Sequence, residues 1–322
     1  IIRAINKNLP KTEESNKQFE DHKRNIEQTL ITINYKRMLG NAESLDLALL
    51  YANLGEYFRL IEFNLNKAIE NHTKSYEIYK KIYKQVHPDI AMSLNNIAEC
   101  YCSLGRYENA LENHERSLEM LKKFYNEDDP NIAWTLNSIA RCYRGLRNYN
   151  KALEFNEKAF EIRNNFYKDD HPDIAWSLNI IGGCYCSLEN YSKALEYFEQ
   201  SLKIYKKFYK EDHPYIATSL NFIGRCYDYL GVFDKALEYH EKSLKMRKNV
   251  YKEDHPDIAM SLNFVGRCYC SLENYKKALK YSEKSLQMRK KVFNDNHPDI
   301  AWSLNIIGRS YYNLGKYYTA LE

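Results

Sequence analysis

The dipeptide His-Pro recurs at His87-Pro88, His171-Pro172, His213-Pro214, His255-Pro256 and His297-Pro298, and the one gap in the series is filled by Asp129-Pro130. The spacing is 42 residues throughout. Between these marks the text returns as P-D-I-A-x-S-L-N-x-I-G-x-C-Y, then Y-x-K-A-L-E and E-K-S-L. A short unit repeated at fixed period cannot bury its apolar face alone, so neighbours must stack and bury it together; the pattern predicts a solenoid. Complete units run from 88 to 129, 130 to 171, 172 to 213, 214 to 255 and 256 to 297, and a cut-off copy fills 298 to 322. A worn copy occupies 45 to 87, where Asp46 to Phe58 aligns with Asp89 to Tyr101 and Ala68 aligns with Ala110 after one extra residue. Residues 1 to 44 lack the pattern. Helical spacing of Phe19, Ile26, Leu30 and Ile33 within Glu14 to Leu39 predicts an N-terminal capping helix there, behind a loose leader.

Each unit reads as two helices, giving an all-α chain. Pro at the first helical position follows His or Asp as N-cap, and Asp89, Asp173, Asp257 and Asp299 sit in the first turn, where the helix dipole favours an anion. The first helix of the unit, helix A, ends at Gly105, Gly231 or Gly315, or near Asn148, Asn190 and Asn274, residue types that tolerate left-handed backbone. Helix B starts near Asn109 and runs to about Tyr125. Leu94, Ile97, Ala98 and Tyr101 form one stripe of helix A, and Leu111, Leu118 and Leu121 the facing stripe of helix B. Ala recurs at Ala68, Ala110, Ala152, Ala194, Ala236, Ala278 and Ala320, which predicts close approach of the paired helices.

Small, Tyr and Ala positions spaced as in Gly182, Tyr185 and Ala194 resemble the tetratricopeptide repeat, which has the same order of small residue, Tyr and Ala. The period is 42 rather than the usual ~34, and Leu94, Leu136, Leu178, Leu220, Leu262 and Leu304 stand where Trp often opens the pattern. With H-P-D-I-A-x-S-L-N at the head of each unit, the array resembles those of kinesin light chains and of the many proteins that carry kinesin-light-chain-type repeats. The resemblance implies an α-solenoid, a right-handed superhelix of antiparallel helix pairs that binds short peptides in its concave face.

On helix A, the face opposite the core stripe carries positions 92, 95, 99 and 102 at about 100° per residue and is expected to line that groove. Down the array it reads Met92, Trp134, Trp176, Thr218, Met260 and Trp302, then Asn95, Asn137, Asn179, Asn221, Asn263 and Asn305. The position after these reads Glu99, Arg141, Gly183, Arg225, Arg267 and Arg309. Asn is a mediocre helix former, so something other than propensity favours its row. A carboxamide can hold the backbone of an extended peptide, Arg adds a fork for carboxylates, and Trp supplies apolar pockets. Against this stand plainer roles: Asn bonding a neighbouring helix, Arg paired with acids of adjacent repeats, and Trp packed between repeats. The expected function is a protein-interaction scaffold binding an extended acidic segment; the alternative is the regulatory or targeting region of a larger enzyme whose catalytic domain lies outside this chain.

No catalytic residues are expected, because the chain has no H-E-x-x-H, G-x-x-x-x-G-K-[ST] or G-x-S-x-G. No cofactor or metal is expected either. Cys100, Cys142, Cys184, Cys226 and Cys268 share one phase and Cys102, Cys186 and Cys270 another; C-x-C on a helix points its sulfurs about 200° apart, so neither an internal disulfide nor a zinc site follows. Eight free thiols suggest a reducing, cytoplasmic setting. His72, His114 and His240 on helix B read as surface or interhelix residues. Mean hydropathy of −0.67 with 28% charged residues excludes a membrane-spanning helix. Lys+Arg 47 against Asp+Glu 43 gives only +4, and a pI near 8.4 argues against a nucleic-acid partner. A first residue other than Met is read as the mark of an excised fragment, and its opening lacks a secretory signal.

Overall fold

The computed structural model describes residues 28, 31–33, 43–60, 62, 64–209, 212–251, 255–292 and 298–321. Among them the chain forms seven helix hairpins and no strand. These are α1 (Leu45–Leu60) with α2 (Leu65–Tyr83), α3 (Pro88–Ser103) with α4 (Tyr107–Phe124), α5 (Pro130–Gly145) with α6 (Tyr149–Tyr167), and α7 (Pro172–Ser187) with α8 (Tyr191–Phe208). Then follow α9 (Pro214–Tyr229) with α10 (Phe233–Val250), α11 (Pro256–Ser271) with α12 (Tyr275–Val292), and α13 (Pro298–Asn313) with α14 (Tyr317–Leu321). The hairpins group into two units, residues 1–168 with α1 to α6 and 169–322 with α7 to α14. Within each unit a B helix packs on its own A helix and also on the A helix of the next hairpin. The capping helix expected over Glu14–Leu39 falls almost wholly outside the described residues; of that stretch Gln28 and residues 31–33 are helical, and Ile33 is buried in the core of the first hairpin.

Helix A starts where the His-Pro mark predicts. The extended His87, His171, His213 and His255 each accept the backbone N–H two residues on through Nδ1 at 3.1–3.2 Å, and Asp129 does so with a carboxylate oxygen at 2.8 Å. Proline at the next position has no N–H to leave unbonded. A tyrosine from the preceding turn stacks on three of these imidazoles, Tyr83 on His87 at 3.4 Å, Tyr209 on His213 at 3.5 Å and Tyr251 on His255 at 3.7 Å. The cap is thereby held on both sides.

The end of helix A corrects one expectation. Gly105, Gly231 and Gly315 adopt positive φ as foreseen, but in the other units the left-handed residues are Arg147, Glu189 and Glu273, one before the asparagine. Asn148, Asn190 and Asn274 instead open helix B, each side chain accepting the backbone N–H three residues on at 3.2–3.3 Å. Helix B consequently begins two residues earlier than Asn109 suggests, at Tyr107. Left-handed backbone is strained for a residue bearing a Cβ. Glu189→Gly, which copies the array's own glycine, is expected to stabilise the second unit by about 1 kcal/mol; a lower melting temperature would contradict this.

The core runs along the facing stripes. Leu94, Ile97, Ala98 and Cys100 of α3 are buried, as are their counterparts Leu136, Ile139, Ala140 and Cys142 of α5. Ala68, Ala110, Ala152, Ala194, Ala236 and Ala278 have no exposed surface, in keeping with close helix approach. A second small row, unremarked in the sequence, explains how tightly B helices lie on A helices: Ser117, Ser201, Ser243 and Ser285 donate to the carbonyls of Ala91, Ala175, Ala217 and Ala259 at 2.6–2.8 Å. On the outer surface Lys158 pairs with Glu154 and Lys242 with Glu238, four residues apart on one helix, at 2.6 and 2.5 Å.

Candidate peptide-binding face

The asparagine row does not lie open, and the expectation that it lines an accessible groove is corrected at four positions. Asn95 is 1% exposed: its amide nitrogen donates to Thr135 Oγ1 on the next A helix at 3.1 Å, and its oxygen meets His114 Nδ1 at 2.9 Å. Asn137 donates to Asn156 at 2.9 Å and accepts from Arg163 at 2.5 Å; Asn263 donates to Ser303 at 3.0 Å; Asn221 meets His240 Nδ1 at 2.8 Å. All four are buried. Asn179 is half-buried and exchanges hydrogen bonds with Ser219, and only Asn305 is exposed. The row therefore bonds neighbouring helices, the plainer of the two roles open to it. The reason is packing: an A helix in a stack meets its own partner, a neighbouring B helix and a neighbouring A helix, so its buried arc is wider than a single stripe.

The remaining predicted residues flank that buried row. Trp134 and Trp176 are each exposed by about two-fifths, at 38% and 40%, and Trp302 is half-buried, edge-on to Phe264 at 4.8 Å with Arg289 over its face at 5.1 Å. Trp134 also touches the His114 ring edge-on at 6.4 Å. Among the arginines, Arg141 is exposed and bonded to Glu99, and Arg267 is half-buried and bonded to Asp228, its Nε at 2.8 Å. Both fit the ion-pair alternative. Arg225 is half-buried between the rings of Phe222 and Phe264, 6.0 and 5.9 Å from their centroids, and Arg309 is exposed. Neither has an ion-pair partner among the described residues.

Charge on this face differs between the units. The first presents Glu56, Glu99 and Arg141. Burial alone would raise the Glu56 carboxyl, but the neighbouring His72 imidazole and the hydrogen-bonded Arg59 bring it down to about 2. Pairing with Glu99 likewise outweighs burial at Arg141 and holds its guanidinium above its ordinary range. The second unit presents Gly183, Arg225, Arg267 and Arg309 against the single carboxylate of Asp228. Burial pushes the Asp228 carboxyl up despite the neighbouring Arg267 and Arg225. Here the face is cationic.

Residues that sequence reasoning passed over lie beneath it. Arg247 and Arg289, 2% and 1% exposed, reach the next A helix, where they donate to the carbonyls of Asp257 and Asp299 and to Ser261 and Ser303. His240, fully buried, has its pKa lowered to about 3, by burial first and then by Arg267, Arg225 and Arg247. The C-x-C reasoning holds inside one helix but misses contacts across repeats. Cys102 Sγ lies 3.2 Å from Cys142 Sγ, and Cys186 Sγ 3.5 Å from Cys226 Sγ, pairs separated by 40 residues, two short of the period. That spacing was the available signal.

Stacked antiparallel hairpins with a capped, 42-residue unit define an α-solenoid of helical repeats. The sequence profile of the tetratricopeptide repeat matches residues 89–165, 146–207, 173–249, 215–291 and 257–322, so the chain belongs to the tetratricopeptide repeat family. Comparison with curated proteins finds no match. Among solved structures, BtubC (BKLC) from P. vanneervenii is 19% identical with a TM-score of 0.62, covering 72% of this chain and 94% of that one. A putative kinesin light chain with nearly identical TPR-like repeats from Podosopora anserina is 22% identical with a TM-score of 0.55, covering 64% and 98%. The STAND protein with a tetratricopeptide repeat sensor from Pyrococcus horikoshii is 18% identical with a TM-score of 0.58, covering 90% of this chain and 47% of that one. At these identities the likeness is one of fold. Among the described residues no helix is long and apolar enough to cross a membrane.

Proposed function

We propose that this chain is a protein-interaction scaffold and that the A-helix face of its second unit binds an extended acidic segment of a partner. Charge complementarity carries the reading: Arg225, Arg267 and Arg309 stand in successive hairpins with one carboxylate, Asp228, among them. Arg225 is the anchor of the site. Its guanidinium lies against two aromatic rings and has no ion-pair partner among the described residues, so it offers a preoriented fork to a carboxylate. Met260 and Trp302, half-buried two turns before Arg267 and Arg309 on their own helices, and Trp176, exposed on α7, offer apolar contact to the side chains between the acids. The asparagine row serves from below, fixing the spacing of the A helices that carry these groups.

A random-peptide display library panned on the chain is expected to return binders enriched in Asp and Glu. Arg225→Gln with Arg309→Gln, which removes two cations not engaged in ion pairs, should abolish that enrichment. Binders rich in Lys and Arg, or an acidic enrichment that survives both substitutions, would contradict the assignment.

A further inference from the structure

We infer that Cys102, His114 and Cys142, with Glu99 beside them, form a binding site for a divalent zinc-type ion that joins the second and third hairpins. The two sulfurs come from adjacent A helices, α3 and α5, and the imidazole from α4 between them. One nitrogen of His114 and both sulfurs lie within 4.8 Å of one another. The hydrogen bonds decide which nitrogen is available. Asn95 gives its amide N–H to Thr135 and so presents its oxygen to His114 Nδ1, which must donate. In the neutral ring Nε2 then carries the lone pair, and it is fully buried without a hydrogen-bond partner, 3.8 Å from Glu99 Oε1. A histidine whose rear nitrogen is fixed by an amide oxygen is oriented as metal-ligating histidines are.

The donor set, two thiols and one imidazole with water as fourth ligand, since Arg141 engages the Glu99 carboxylate, suits Zn²⁺ rather than Mg²⁺ or Ca²⁺, which take oxygen. Zinc–sulfur bonds of about 2.3 Å place two sulfurs about 3.8 Å apart in a tetrahedron, so the pair at 3.2 Å would open by about half an ångström. On binding, two sulfur–zinc bonds form and the two thiol protons pass to solvent.

The array supplies its own controls. Two units on, the same places hold Cys186, Phe198 and Cys226, a thiol pair without an imidazole. Three units on they hold Asp228, His240 and Cys268, but Asp228 is engaged by Arg267, and Arg225 stands where the first site has Glu99. Neither is offered as a zinc site.

The test is titration of the whole reduced chain with Zn²⁺ against a chromophoric competitor, and with Co²⁺ as a spectroscopic stand-in. One tightly held equivalent is expected, with the sulfur-to-cobalt charge-transfer absorption and strong visible bands of a tetrahedral site, and a raised melting temperature. His114→Asn and Cys142→Ser use residues the array already carries at equivalent places, Asn156 and Ser310, and preserve the fold. Each should weaken zinc by more than about 100-fold, beyond the range of a merely supporting residue, while Cys186→Ser with Cys226→Ser leaves the stoichiometry at one. Absence of thiolate–cobalt absorption in the native chain, or zinc affinity unchanged by His114→Asn and Cys142→Ser, would overturn the site.

Discussion

Acidification from neutral to pH 5 is expected to destabilise the second unit by about 2 kcal/mol through His240 alone, at about 1.4 kcal/mol per pH unit. In the unfolded chain this imidazole titrates near its ordinary 6.5, whereas in the folded chain its pKa lies at about 3. Between those values the unfolded state binds a proton that the folded state excludes. Stability therefore falls as pH drops through that window and is indifferent to His240 above it. The groups that face the ring are Arg225 and Arg267 on the A helices, Arg247 on its own helix, and Asp228 and Cys268. Asp228 is already engaged by Arg267, so among the described residues no carboxylate is left to stabilise an imidazolium.

His240→Phe isolates the effect. Phe198 occupies the equivalent place and lies against Gly182 as His240 lies against Gly224; it stacks on Phe222 at 5.0 Å as His240 stacks on Phe264 at 4.8 Å. The variant should lose about 1–2 kcal/mol at neutral pH, because Asn221 loses its partner, and should show a flatter acid limb. An acid slope equal to the parent's, measured by thermal melts from pH 7 to pH 4, would reject this account of His240.

The asparagine row gives the second large effect, and a contrast within one residue type. Asn137→Ala withdraws the acceptor from the buried Arg163 guanidinium and the partner from Asn156, and should lower the stability of the first unit by about 2–4 kcal/mol. Asn305→Ala, at an exposed position of the same row, should change stability by less than about 0.5 kcal/mol. Equal losses at the two positions would mean that the row acts through something other than its interhelix hydrogen bonds.

How far the chain could be read in advance follows the range of each interaction. The His-Pro caps, the facing stripes and the alanine row are local or strictly periodic, and the structure has them where the text puts them. Asn148, Asn190 and Asn274 cap helix B instead of taking the left-handed turn themselves, because Arg147, Glu189 and Glu273 adopt a left-handed backbone that their identities do not advertise. A helical wheel puts Asn95 and its equivalents on an open face because it assumes one partner, and an A helix in a stack has several. The Cys102–Cys142 contact crosses a repeat boundary, out of reach of reasoning about spacing inside one helix. Arg247 and Arg289 hide in a Lys-rich helix that reads as solvated, until their carbonyl and hydroxyl partners on the next A helix are known.

The central claim is that Arg225 and its neighbours accept acidic side chains while the asparagines beneath them hold the helices apart. Calorimetric titration of one library-selected acidic peptide into the native chain and into Arg225→Gln tests it most directly. One peptide per chain is expected, with affinity that weakens with added salt and a loss of about tenfold or more in the variant, the worth of one charged hydrogen bond of about 1.5–3 kcal/mol. Identical affinity for both proteins, unaffected by salt, would contradict it.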